Sequence, residues 1–185
     1  MKKKSILMLV FIFPLLFFSD VYGKDGFYLG IQIGSSMQKP SIKDIEFSTD
    51  TSFLYGARAG IRFMNITVEA NYFQAAHNLV TEDLEWGERE IDYNYIGMNL
   101  KYDFFSIVNF NTYLTVGYGY YTADIHDIDK DTDDGYNFGL GMELFLGDRF
   151  SLLAEGKYHH TKVDIENREL SLGDFSIVGG FNIYL

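Results

Sequence analysis

Eight charged side chains stand out by type and position: Arg58, Arg62, Glu69, Lys101, Asp103, Glu143, Glu155 and Lys157, four of each sign, all in segments rich in glycine and apolar residues. Where two of them share a segment they lie two or four residues apart, so in an extended chain they point the same way. Balanced charges on one face either pair off and fill an enclosed space or line a polar passage. A second cluster, Asp127, Asp129, Asp131 and Asp133 ahead of Gly135, offers carboxylate oxygens to a hard cation such as calcium. It does not match an EF-hand loop: counting from Asp129, Gly135 is position seven and Leu140 is position twelve. A solvated acidic loop tip is the preferred reading, and no metal site is assigned.

A third group is His159, His160 and Thr161, with Glu166 nearby. A hydroxyl nucleophile needs an oriented base, which spacing alone does not supply. His159 is read instead as an interior residue and His160 as a rim residue. His77 and His126 stand alone in loops, and Trp86 lies in an acidic stretch, LEWGERE. The chain has no cysteine, so neither disulfides nor thiolate chemistry enter. No catalytic residue and no cofactor is assigned.

The elements that must position these groups are strands. Alternation of apolar and polar residues marks eight segments: Gly26 to Ser36, Phe53 to Phe63, Ile66 to Gln74, Tyr93 to Phe104, Asn111 to Tyr121, Tyr136 to Leu146, Phe150 to His159 and Phe175 to Leu185. The last, FSIVGGFNIYL, sets Phe175, Ile177, Gly179, Phe181, Ile183 and Leu185 on one face. Its open edge needs a partner, and the first segment supplies one; pairing first with last closes a barrel. Segments of about ten residues suit a tilted strand crossing a bilayer. Connections alternate: short at Met64 and Asn65, Phe105 to Phe110, and Gly147 to Arg149, long elsewhere.

Side-chain chemistry decides which face looks inward. The eight charges share the face that carries the glycines, so they are predicted to fill the lumen of a narrow barrel as ion pairs. The Met64 turn should set Glu69 opposite Gly60 and diagonal to Arg58 and Arg62. Phe27, Phe63, Phe104, Phe150, Phe181 and several tyrosines, among them Tyr72, Tyr102, Tyr120, Tyr136 and Tyr158, lie towards strand ends on the apolar face, as aromatic girdles do at membrane interfaces. At the N-terminus, MKKKSILMLVFIFPLLFFSDVYG reads as a secretory signal peptide cut after Gly23, too short and too broken by Pro14 for a spanning helix. Residues 24–185 then form one barrel domain.

These features resemble the small eight-stranded outer-membrane barrels: outer-membrane proteins A and X, opacity-type proteins and attachment-invasion-locus proteins. The resemblance is carried by GFYLGIQIG, ITVEANY with its inward Glu69, YLTVGYGYY, NFGLGMELF, LLAEGKY and the final strand. It implies an all-β, antiparallel up-and-down barrel in the outer membrane with short periplasmic turns and four long external loops. It also implies contact with outer-membrane lipid and lipopolysaccharide, recognition of the C-terminal strand by the barrel assembly machinery, and a monomer. The chain departs from the group in ending at Leu185, where phenylalanine is usual. The His159 group is similar to that of outer-membrane lipid A deacylases, except that threonine stands where they carry serine.

Charge restricts the partners. The whole chain has 15 basic and 26 acidic residues; without Lys2, Lys3, Lys4 and Asp20 the balance is 12 against 25, net −13. The lumen set cancels, so the four loops are expected to carry the excess, mostly in the stretches from Ala75 to Asp92 and from Thr122 to Gly135. Such loops repel nucleic acid and other polyanions. The expected function is that of a surface protein acting through acidic loops in envelope integrity, adhesion or contact with host or environmental ligands. A small porin-like channel and a lipid A-modifying enzyme are the competing readings.

Overall fold

The computed structural model describes residues 24–42, 45–46, 50–80, 88–125, 129–165 and 168–185. The signal-peptide reading of residues 1–23, Trp86, His126, Asp127 and Glu166 fall outside them. Every regular element among the described residues is a strand: β1 (Gly26–Ile42), β2 (Ile45–Glu46), β3 (Asp50–Phe63), β4 (Ile66–Val80), β5 (Glu88–Ile107), β6 (Phe110–Ile125), β7 (Asp129–Leu146), β8 (Phe150–Ile165) and β9 (Arg168–Tyr184). Each long strand pairs antiparallel with the next, and β1 pairs with β9 from Tyr28 opposite Tyr184 to Ser41 opposite Ser171. The eight long strands therefore close into a barrel, with β2 folded back on the end of β1.

The short connections fix the register. Between β3 and β4, Met64 adopts a positive φ of 55° and donates its backbone N–H to Asp25 at 2.7 Å. This tight turn sets Gly60 opposite Glu69, as the sequence predicts. Between Asp103 and Phe105 the ladder of β5 with β6 slips by one residue, a β-bulge that turns both Phe104 and Phe105 outward.

One expectation needs correction. The stretches opposite the short turns are to a large extent strand rather than irregular loop. β4 and β5 stay paired up to Val80 opposite Glu88, and β6 and β7 up to Ile125 opposite Asp129. Backbone donors and acceptors must be satisfied whatever the side chains are, so the ladder continues beyond the last apolar residue.

Alternation sorts the side chains onto two surfaces. Outward residues such as Ile31, Val116 and Leu140 are more than half exposed, whereas inward ones such as Tyr113, Tyr121, Glu69 and Asn111 are fully buried. The outward apolar run of β7, from Leu146 to Tyr136, rises about 25 Å along the axis for a strand tilt of about 40°. That matches the hydrocarbon layer of an outer membrane.

Candidate functional site

The inward face is a stack of layers. Nearest the short turns, Arg62 places Nη2 2.5 Å from Glu143 and Nε 3.6 Å from Asp103, and lies over the Phe145 ring at 5.2 Å. Glu143 also accepts hydrogen bonds from Ser151 (2.5 Å), Asn182 (3.0 Å) and the Tyr184 hydroxyl (3.0 Å). Asn111 donates to Asp103 at 3.1 Å.

The middle layer centres on two buried carboxylates. Glu69 receives Lys101 at 2.6 Å, Arg58 at 3.5 Å, the Tyr28 hydroxyl at 2.6 Å, and the amides of Asn71 (3.3 Å) and Asn99 (3.2 Å). Glu155 receives Lys157 at 2.7 Å, Lys101 at 3.4 Å and the Tyr113 hydroxyl at 2.9 Å, with Arg58 at 3.9 Å. Arg58 also donates to Gln32. All eight charges named from the sequence are thus buried and placed in these two layers.

Glycine makes room for the phenols. A Cβ on Gly60 would lie 2.6 Å from the Tyr28 ring, and one on Gly141 would lie 2.3 Å from the Tyr113 ring. Tyr28, Tyr113 and Tyr184 each donate to a different glutamate, so phenols complete the carboxylates' coordination where cations run out. Parity along the strands places these tyrosines inward, but their pairing across the lumen requires the closed register.

Towards the long hairpins the lumen turns aromatic. Phe73, Tyr95 and Tyr121 surround the His159 ring in edge-on contacts of 5.1 to 5.9 Å. His159 bonds through Nδ1 to the Tyr121 hydroxyl at 3.0 Å and through Nε2 to Ser176 at 3.2 Å. A cavity of about 10 Å³, room for one water, lies among Gln32, Asn71, Glu155, Lys157, His159 and Ser176. Above it Ser36 donates to the buried Asp174 at 2.5 Å.

Asp174 corrects the charge ledger. It belongs to the lumen, not to a loop, because β9 begins earlier than the alternation suggests and turns Asp174 inward opposite His159.

The other sequence candidates separate. His159 is interior, and His160 faces outward against Tyr136 with ring centres 5.2 Å apart. The Thr161 hydroxyl is spent on the backbone carbonyl of Asp134 at 3.0 Å, so it is not held by His159. Asp129, Asp131 and Asp133 alternate along β7 rather than clustering in a loop. Among the described residues no group of three or more His, Asp or Glu is close enough to hold a metal ion.

The comparisons with known proteins agree with this architecture. The family model for the outer membrane protein beta-barrel domain matches residues 7–176. The chain belongs to that family. It is an outer-membrane β-barrel protein, and its exposed apolar surface is the face that meets lipid.

Solved structures with the same fold include Neisserial surface protein A, at 17% identity and TM-score 0.64, covering 88% of this chain and 99% of that one. The outer membrane protein OprG from Pseudomonas aeruginosa aligns at 13% identity and TM-score 0.63, covering 90% and 99%. Ail, the attachment invasion locus protein of Yersinia pestis, aligns at 13% identity and TM-score 0.52, covering 85% and 99%. At these identities the likeness is one of fold. A comparison with curated protein sequences yields no match.

Proposed function

We propose that this outer-membrane barrel is a closed anchor that works through its acidic external hairpins, as a surface protein contacting neutral or cationic molecules of the host or environment. The observation that carries the reading is the filled lumen: five cation-to-carboxylate contacts of 3.5 Å or less (Arg58, Lys101 twice, Arg62 and Lys157), with side chains of all eight long strands packed between them. A conducting pore needs mobile water along its axis, and here buried polar side chains bond to one another instead. The strands continue past the apolar belt as hairpins bearing Asp92, Asp124, Asp131, Asp133 and Asp134. That placement favours partners other than polyanions. Ail, a barrel of the same fold, is named for attachment and invasion.

In this reading residues 1–23 direct export and are removed, the strand ending at Leu185 is the segment read by the assembly machinery, and the barrel is a monomer. Conductance in a planar bilayer tests the closed lumen: the refolded mature protein is expected to be silent. Steady single-channel steps from the unmodified protein would make it a porin. Exchange of the β4–β5 and β6–β7 hairpins for short neutral turns, scored by attachment of cells displaying the protein, tests the hairpins: attachment should fall while barrel levels hold.

A further inference from the structure

The two ends of the lipid-facing surface differ chemically. Near the short turns the outward aromatics are mostly phenylalanines, Phe27, Phe63, Phe104 and Phe150, without a polar atom. Near the hairpins they are mostly tyrosines, and three of the hydroxyls are hydrogen-bonded: Tyr55 donates to Gln74 directly opposite it at 3.0 Å, and, one step nearer the hairpin tips, Tyr72 donates to Asn94 at 3.5 Å and Tyr118 to the carboxylate of Asp134.

On β6 to β8 this girdle widens into a patch. Tyr118, Tyr120 and Tyr136 are each more than half exposed, and Tyr136 continues into His160. Directly outward stand Asp134 and the hydroxyl pair Thr122 and Thr132, 2.8 Å apart. The Tyr118 hydroxyl holds the Asp134 carboxyl below the usual carboxylate range, so it is an acceptor. Exposed rings beside a carboxylate and hydroxyls suit a sugar, whose C–H face lies on an aromatic ring while its hydroxyls bond at the edge. Among the described side chains the outward charged residues here, Asp92, Asp124, Asp134 and Lys162, are acid-rich, which disfavours a phosphate. Below the patch the surface runs without a break into Val116, Phe138 and Leu140, so a lipid whose head lies on the rings can lay its tails on the belt.

We propose that the outward rim of β6 to β8, centred on Tyr118, Tyr120, Tyr136 and Asp134, binds the uncharged sugar of an outer-leaflet glycolipid whose acyl chains lie along the belt beneath. The proposal rests on the reading that the long hairpins face outward from the cell.

The test places the mature barrel in phosphatidylcholine nanodiscs doped with dihexosyl diacylglycerol and counts retained lipid by native mass spectrometry. The protein should retain the glycolipid in preference to diacylglycerol with the same chains. Tyr118→Phe combined with Asp134→Asn should lower retention about tenfold, the loss of roughly one hydrogen bond to a charged group. Tyr55→Phe, in the same girdle but on β3, should leave it unchanged. Heat-modifiability confirms that each variant is folded, and Tyr118→Phe alone, which keeps the ring, serves if the double variant is not. Equal retention of the sugar-free lipid, or undiminished retention in the variants, overturns the site. Equally strong binding of a soluble disaccharide would overturn the glycolipid assignment. A β6–β7 exchange confined to the stretch beyond the Thr122–Thr132 pair keeps Asp134 and the rings, so retention should survive it, and loss of attachment and loss of glycolipid report separately.

Discussion

The lumen near the short turns and the lumen near the hairpins are built on the same alternation from the same strands, yet they are held differently. The lower layers bury eight charges and satisfy them with one another and with phenols and amides. The upper layer buries His159 and Asp174 among Phe73, Tyr95 and Tyr121, and packs rings rather than ion pairs. A barrel therefore has two ways to fill its centre. Ion pairs give directional closure but leave an exposed debt when one partner goes, whereas ring packing tolerates small changes.

The largest separation between the two regions should come from paired carboxyl substitutions. Glu69→Ala leaves Arg58 and Lys101 facing only Glu155, already shared with Lys157; breaking such a buried set costs about 3–5 kcal/mol. We expect a marked fall in the urea midpoint of the refolded barrel, or failure to assemble. A variant as stable as the parent would mean that the lower layers are no more demanding than the upper.

Next in size, Leu140→Arg tests the outer surface against the inner. Arginine is welcome in the lumen but should cost about 2–4 kcal/mol on the belt, reducing the heat-modifiable band. Undiminished folded protein would sink the assignment of faces. Gly141→Ala probes the fit of the lower phenols, since its Cβ would meet the Tyr113 ring at 2.3 Å. Overpacking of this kind costs about 1–3 kcal/mol, and the same denaturation curve reads it. Smallest of all should be Asp174→Asn, an isosteric change where Ser36 can still donate and no described cation is within ion-pair reach. A shift within about 1 kcal/mol is expected. A loss as large as that of Glu69→Ala would erase the contrast between the layers.

Much of this was legible before any coordinates. Period-two alternation, eight segments and short turns on one side suffice for the barrel, and parity assigns the eight charges to the lumen because side chains on a strand repeat every two residues. Glu69 opposite Gly60 followed from a two-residue turn, the most local constraint there is. His159 and His160 followed from parity as well. What escaped was non-local. The extent of the hairpins escaped because polar strands carry no apolar rhythm, and with them went Asp174, counted as loop and found in the lumen.

The sequence by itself determined the strands, the two faces, and the inventory of charges and aromatics, since each depends only on neighbours along the chain. Which carboxylate meets which cation was decided by closure. Glu69 reaches Lys101 across one ladder, but Arg62 meets Glu143, 81 residues away, only because β1 and β9 join and bring β7 within reach of β3 through the lumen. Partner choice inside a barrel is a property of its circumference, and a linear chain has none.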